Sequence, residues 1–151
     1  MKKRRAFWIA VLVLVLDRAL KMAAPSLPAE GLVLIPKVLR LRLVKNEGIA
    51  FSFLSGEPLL LGFLSLGLVL AAVWFLRRRR FSPPVTVCLM MMLGGAVGNM
   101  LDRFFLGYVP DMLELLFVDF PVFNLADLFL SVGCAGVMVA LLFGKQPSEN
   151  A

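Results

Sequence analysis

Residues 85–101 read VTVCLMMMLGGAVGNML, an apolar run without a charged side chain. A helix needs about 20 such residues to cross the hydrocarbon core of a bilayer. Three further runs of comparable length lie at 6–24, 58–76 and 125–143. Hydrophobic residues make up 60% of the chain, compared with about 45–50% in a typical soluble domain. The sequence therefore predicts a mainly α membrane protein, with four transmembrane helices in one domain over residues 1–151.

The basic residues of the chain cluster outside these runs and predict an orientation. Lys2–Arg5 precede the first run, and Arg77–Arg80 join the second to the third. Basic segments stay in the cytoplasm, so we expect both termini there and segments 25–57 and 102–124 on the outer side. A cleavable signal peptide is an alternative for the N-terminus, because small residues follow its apolar core.

The chain contains no histidine. This excludes a Ser-His-Asp triad, a Cys-His dyad and any His-ligated metal site. Cys88 and Cys134 lie inside apolar runs, and we interpret them as packing residues. Proton transfer is left to carboxylates, lysines or the single tyrosine. We expect no metal site, no cofactor and no nucleic acid partner.

The first outer segment predicts a small β-sheet over residues 31–57, between the first two helices. Apolar and basic residues alternate in Leu39–Leu43, which is the period of a half-buried strand. A turn over 45–48 and a partner strand over 49–53 would complete an antiparallel sheet at the outer membrane surface. The side chains of Arg40 and Arg42 on this strand could contact lipid phosphate or water, and the sequence favours neither.

Ionisable and polar groups inside membrane spans are costly, at ~2.5–3.5 kcal/mol for each charge, and are functional candidates by default. Asp17 and Lys21 are four residues apart in the first run and share a helix face. Two interpretations stay open: the two side chains neutralise each other near the membrane surface, or they have a functional role. Gly94 and Gly98 have the GxxxG spacing that allows close helix packing, and the neighbouring Asn99 needs hydrogen-bond partners.

Two aspartates approach the outer surface from different elements. Asp111 lies in the second outer segment, and Asp127 lies at the start of the fourth run. Asp127 equally fits the N3 position of a helix capped by Asn124, where a carboxylate suits the helix dipole. Spacing alone does not select Asp111 from the other acidic residues of its segment, which are Asp102, Glu114 and Asp119.

Four blocks of sequence occur in order along nearly the whole chain: DRALK at 17–21, NEGIAF at 46–51, GGAVGNMLDR at 94–103 continuing to GYVPD at 107–111, and FNLAD at 123–127. In these blocks the chain closely resembles the bacterial lipoprotein signal peptidase family, also called signal peptidase II. The last two blocks are the most specific, because their order, spacing and four-span setting coincide.

The resemblance implies an intramembrane aspartic peptidase of the bacterial inner membrane, with its active site near the outer leaflet. Its catalytic pair falls on Asp111 and Asp127. The residues implied to bind substrate or support the site are Asp17, Lys21, Asn46, Gly48, Asn99, Arg103, Asn124 and Ala126. The expected substrate is a prolipoprotein with diacylglycerol on a cysteine, cut on the N-terminal side of that cysteine. Membrane lipid is the expected surrounding partner, and the chain is expected to act as a monomer.

Two other function classes stay open at this point. A small transporter or proton-conducting protein would use the polar residues of the spans as a path. A structural membrane protein would use the GxxxG motif as a dimer face. The polar residues cluster in the outer half of the spans, which favours a reactive site near the surface over a path through the membrane.

Overall fold

The computed structural model of the protein describes residues 3–48 and 56–143. It contains four long helices, which are α1 (Lys3–Ala23), α2 (Pro58–Arg78), α3 (Pro83–Phe105) and α4 (Leu125–Phe143). A short 3-10 helix, Ala24–Ser26, follows α1. Each predicted apolar run corresponds to one of these helices, so the mainly α prediction is confirmed. The first run was predicted to reach Ala24, which begins the 3-10 helix. The third helix is longer than the predicted 85–101 at both ends.

The helix boundaries follow local signals in the sequence. Pro58 and Pro83 begin α2 and α3, where the missing N–H of proline would have no partner within the helix. The peptide N–H of Leu128 bonds to the carbonyl of Asn124 at 3.2 Å, so Asn124 is the N-cap of α4. The starts of α2, α3 and α4 therefore follow from local sequence signals.

Three of the helices, α2, α3 and α4, are long and apolar enough to cross a membrane. The fourth, α1, has a comparable length of 21 residues and carries Asp17, Arg18 and Lys21 in its last turns. Large apolar side chains on the outside of the bundle, such as Leu68 and Leu141, are mostly exposed. An outward apolar surface is what a lipid environment requires, and the prediction of a membrane protein is confirmed.

Helix α3 lies at the centre of the bundle and approaches α1 through its glycines. A Cβ atom at Gly94 would lie 2.6 Å from the carbonyl oxygen of Ala10, and one at Gly98 would lie 2.8 Å from a carboxylate oxygen of Asp17. The predicted close packing at the GxxxG motif is therefore present. Its partner is α1 of the same chain, so this groove is not a free face for a dimer.

Helix α3 also packs closely on α4. A Cβ atom at Gly95 would lie 2.5 Å from the carbonyl oxygen of Ala126, and one at Gly136 would lie 2.5 Å from Sγ of Cys88. Cys88 thus fills space between two helices, in line with its interpretation as a packing residue. Cys88 and Cys134 are both free thiols, and Cys134 is exposed. The interpretation of Cys134 as a packing residue is therefore wrong, because its side chain lies on the outside of the bundle.

The sheet at one end of the bundle has three antiparallel strands in the order β1 (Leu32–Ile35), β2 (Leu39–Asn46) and β3 (Val109–Leu115). The predicted strand over 39–43 is confirmed and continues to Asn46. Its predicted partner over 49–53 lies outside the described residues. The strand that pairs with β2 on its other side, β3, comes from the connection between α3 and α4 and was not predicted.

Two arginines of β2 bind a carboxylate of β3. Glu114 accepts a hydrogen bond from Nε of Arg40 at 2.6 Å, and from Nε and Nη2 of Arg42 at 3.2 and 3.1 Å. The hydrogen bonds from Arg40 and Arg42 lower the pKa of Glu114 to about 2. The two arginines therefore have a partner within the chain, where the sequence suggested water or lipid phosphate. This pairing helps to fix the register of β3, and with it the position of Asp111.

Candidate active site

A cavity of about 860 Å³ opens between the sheet and the nearby ends of α3 and α4. Asp111 reaches it from β3, and Asp127 reaches it from the first turn of α4. Asp111 is only 2% exposed. The structure thus brings two acidic side chains from separate elements into one cavity.

Asn124 connects the two aspartates. Its side-chain Nδ2 donates to Oδ1 of Asp111 at 2.7 Å. Its Oδ1 accepts from the peptide N–H of Asp127 at 2.9 Å, and its own peptide N–H donates to Oδ2 of Asp127 at 3.2 Å. This reciprocal pair is a capping box. Asp127 therefore caps α4 and lines the cavity, so its two interpretations from sequence are compatible.

Two further asparagines complete the hydrogen bonds of the carboxylates. Nδ2 of Asn46 donates to Oδ2 of Asp111 at 2.9 Å, and Oδ1 of Asn46 accepts from the peptide N–H of Gly48 at 3.0 Å. Nδ2 of Asn99 donates to Oδ1 of Asp127 at 2.7 Å. Each oxygen of the pair thus accepts one N–H hydrogen bond, which holds both carboxylates in fixed orientations.

The environment of Asp111 favours its protonated form. Burial is the largest effect and raises the pKa of Asp111 from 3.8 to about 6, and the negative charge of Asp127 acts in the same direction. The hydrogen bonds from Asn46 and Asn124 favour the carboxylate and oppose part of this rise. A carboxyl group with such a pKa is able to exchange a proton near neutral pH.

A buried cluster of charges lies directly behind the cavity. Nζ of Lys21 lies 2.8 Å from Oδ2 of Asp17 and 2.7 Å from Oδ2 of Asp102, and donates to Oδ1 of Asn99 at 2.8 Å. The other oxygen of Asp17 accepts from the peptide N–H of Ala126 at 3.0 Å. Asp17 and Asp102 are fully buried. This cluster ties α1 to α3 and to the first turn of α4, and it orients Asn99 toward Asp127.

Arg103 lies on the cavity wall. Its Nη1 donates to the carbonyl of Asn99 and its Nη2 to the carbonyl of Gly48, each at 3.2 Å. It therefore links the segment after β2 to α3. This link supports Asn46 in the position from which it binds Asp111.

All ten residues that the sequence singled out lie in or directly behind this site. Those that line the cavity are Asn46, Asn99, Arg103, Asp111 and Asp127. Lys21, Gly48 and Asn124 contact lining residues from behind. Asp17 lies one contact further back, where it binds Lys21 and the peptide N–H of Ala126. The structure confirms that these residues are neighbours, and their chemical roles stay predictions.

The sequence analysis missed two members of the buried cluster. Asp102 binds Lys21, and it also forms an ion pair with Arg18, whose Nη2 lies 3.4 Å from the carbonyl oxygen of Gly98. Asp102 follows Asn99 by three residues on the same helix, so helical spacing could have placed both on one face. Within residues 3–48 and 56–143, no group of three His, Cys, Asp or Glu side chains is placed to hold a metal ion.

Comparison with known proteins gives consistent matches over nearly the whole chain. The sequence profile of signal peptidase (SPase) II matches residues 9–143. A lipoprotein signal peptidase of Gloeothece citriformis is 38% identical, over 99% of this chain and 97% of the relative. One of Lactococcus lactis subsp. lactis is 34% identical, over 97% of this chain and 99% of the relative.

Solved structures agree with the sequence matches. One, described as a bacterial membrane enzyme, is 27% identical and superposes with a TM-score of 0.86, covering 97% of this chain and 94% of the other. A second structure with the same description is 28% identical and has a TM-score of 0.82, covering 93% and 94%. The arrangement of helices and sheet is thus shared with membrane enzymes.

Proposed function

Because this chain belongs to the signal peptidase II family, we propose that it removes the signal peptide from prolipoproteins. It hydrolyses the peptide bond on the N-terminal side of a cysteine that carries diacylglycerol. Asp111 and Asp127 form the catalytic pair. The observation that carries this proposal is the connection of both carboxylates to Asn124 within one cavity.

The two carboxylates share one proton at the working pH. Two like charges in a partly buried site repel each other, and one shared proton removes this repulsion. The raised pKa of Asp111, about 6, supports a proton held within the pair. Aspartic proteases of known mechanism use two carboxylates in the same way.

The reaction follows from this shared proton. The ionised member of the pair takes a proton from a water molecule, and the resulting hydroxide oxygen attacks the carbonyl carbon of the scissile bond. The protonated member donates a hydrogen bond to the carbonyl oxygen and stabilises the tetrahedral intermediate. When the C–N bond breaks, the pair returns a proton to the leaving amine. No covalent bond to the enzyme forms.

The shape of the cavity supports a substrate that enters from the bilayer. Its wall includes Phe120, Phe123 and Leu128, which are apolar, and it continues along α4 from Asp127 to Ser131. The acyl chains of the substrate stay in the outer leaflet while the signal helix lies against the bundle. Lipid anchoring thereby sets the depth of the scissile bond in the membrane. The binding energy of the acyl chains is used to hold that bond beside the catalytic pair.

The basic clusters at the other end of the bundle support the orientation. Arg77 and Arg78 end α2, and Arg79 and Arg80 follow directly. By the positive-inside rule this end faces the cytoplasm. The proposal therefore places the enzyme in the bacterial cytoplasmic membrane with both termini inside and the catalytic pair near the outer leaflet.

The test is cleavage of a diacylglyceryl-modified prolipoprotein in liposomes by wild type, Asp111→Asn and Asp127→Asn. Removing a general acid or base costs about 10²–10⁴-fold in rate, so each variant is expected to lose at least 100-fold. Asp119→Asn is the matched control, because Asp119 is an exposed acid of the same connection. We expect the control to cut at the wild-type rate.

Two results would count against the proposal. If wild type does not cut the modified substrate, the proposed activity is wrong. If both aspartate variants cut as well as wild type, the catalytic pair is wrong. Circular dichroism of each variant shows whether a loss of rate is due to a loss of fold.

A further inference from the structure

A second cavity, of about 900 Å³, lies at the end of the bundle away from the aspartate pair. It is bordered by Phe7 of α1, by the last turns of α2, by the connection to α3 and by the first half of α3. Its lining includes Arg78, Arg80, Thr86, Met90 and Leu93. Its position excludes any direct part in chemistry at Asp111 and Asp127.

The lining of this cavity has an apolar part and a basic part. Thr86, Met90 and Leu93 recur along one face of α3, and at 1.5 Å per residue they extend about 10 Å from the end of the bundle inward. Arg78, at the end of α2, and Arg80, in the connection to α3, form the basic part, and none of the lining residues is acidic. A ligand that satisfies both parts has an anionic head and an extended apolar chain.

The basic part of the lining lies at the height expected for lipid headgroups. The guanidinium of Arg78 lies 6.0 Å from the ring centre of Trp74, and Trp74 is 61% exposed on the outside of α2. Tryptophan and arginine side chains at the end of a membrane helix mark the interface between hydrocarbon and headgroups. The positive-inside rule is enough to explain why basic residues lie at this end of the bundle. It does not explain why an apolar cavity lies beside them.

We propose that this cavity binds one anionic phospholipid of the surrounding leaflet. The phosphate lies between Arg78 and Arg80, and one acyl chain lies along Thr86, Met90 and Leu93. Basic pockets between transmembrane helices bind lipid headgroups of this kind. The proposal depends on the membrane fold and is independent of the peptidase activity.

The test is native mass spectrometry of the full chain, released from detergent and titrated with phosphatidylglycerol or with phosphatidylcholine of the same acyl chains. We expect wild type to retain one phosphatidylglycerol molecule at least ten times more tightly than phosphatidylcholine. Each arginine near a headgroup contributes about five-fold in affinity. Arg80→Gln is therefore expected to weaken the binding of phosphatidylglycerol about five-fold and to leave the binding of phosphatidylcholine unchanged.

Two further variants separate a built site from diffuse surface charge. Arg79→Gln removes the same charge one residue away, and Arg79 does not line the cavity, so we expect a loss of less than about two-fold. Met90→Trp keeps every charge and fills the apolar part, and it is expected to reduce retention of both lipids.

The proposal is overturned if wild type retains the two lipids equally, or if Arg79→Gln weakens phosphatidylglycerol as much as Arg80→Gln does. It is also overturned if no lipid is retained, as would occur if another segment of the chain filled the cavity. Lipid is counted by mass in each case, so the result is the same whether or not the chain cuts prolipoproteins.

Discussion

Nδ2 of Asn124 donates to Oδ1 of Asp111 at 2.7 Å, across the boundary between α4 and β3. The same side chain caps α4 by accepting from the peptide N–H of Asp127. One amide therefore orients the first carboxylate and begins the helix that carries the second. Helix capping and assembly of the candidate active site depend on the same residue.

Asn124→Ser and Asn124→Ala separate these two roles. Serine caps helices well, whereas alanine removes the cap at a cost of about 1 kcal/mol, so we expect only the alanine variant to melt at a clearly lower temperature. Neither residue can donate an amide to Asp111, so both are expected to lower kcat by at least 10-fold with little change in KM. Full activity of Asn124→Ser would show that the amide is not needed.

Asp111 makes the stability of the protein depend on pH. Its pKa is about 6 in the folded state and 3.8 ordinarily, so the folded state binds more protons between about pH 4 and 6. The contribution of Asp111 to stability is therefore complete below this range and is lost as the pH rises through about 6. A pKa difference of this size corresponds to about 3 kcal/mol.

We expect Asp111→Asn, which cannot ionise, to gain stability relative to wild type as the pH is raised from about 4 to 7. Thermal unfolding in detergent at several pH values measures this gain. If the difference in melting temperature between the two proteins is the same at every pH, the environment of Asp111 does not disfavour its ionised form.

Lys21 neutralises two buried carboxylates, Asp17 and Asp102. Lys21→Met leaves both without this cation, and breaking a buried ion pair costs about 3–5 kcal/mol. In a chain of this length we expect the melting temperature to fall by about 10 °C. The control is Lys37→Met, which removes an exposed lysine in the turn between β1 and β2. Equal melting temperatures for the two variants would contradict a structural role for the cluster.

The contact between α1 and α3 has no space for a side chain at Gly94. Gly94→Ala places a methyl group 2.6 Å from the backbone oxygen of Ala10, and overpacking of this kind costs about 1–3 kcal/mol. Gly67→Ala in α2 is the matched control, because a Cβ atom there meets nothing within 4 Å. We expect thermal unfolding to show a loss for Gly94→Ala and none for Gly67→Ala.

Features with a local cause were predictable from the sequence. Helix α4 begins at Leu125 as predicted, because Asn124 and Asp127 form their capping box within four residues. The close approach at Gly94 and Gly98 was also predictable, since it follows from helical spacing. The sequence did not indicate which helix fills that groove.

Features that depend on pairing between distant residues were not predictable. Strand β3 contains Pro110 and Asp111, which are uncommon in strands, and it is stabilised by pairing with β2 more than 60 residues earlier. Asp102 meets Lys21 across 81 residues. The selection of Asp111 among the acids of its segment came from the family resemblance, and its contacts with Asn46 and Asn124 now supply a physical reason.

The ion pair between Asp17 and Lys21 has a consequence for biosynthesis. Ribosomes add about 5–20 residues per second, so Asp102, which lies 81 residues after Lys21, is made roughly 4–16 s later. During those seconds α1 has to enter the membrane without α3. Asp17 lies four residues earlier on the same helix face, so it can neutralise Lys21 while α1 enters the membrane, before Asp102 has been made.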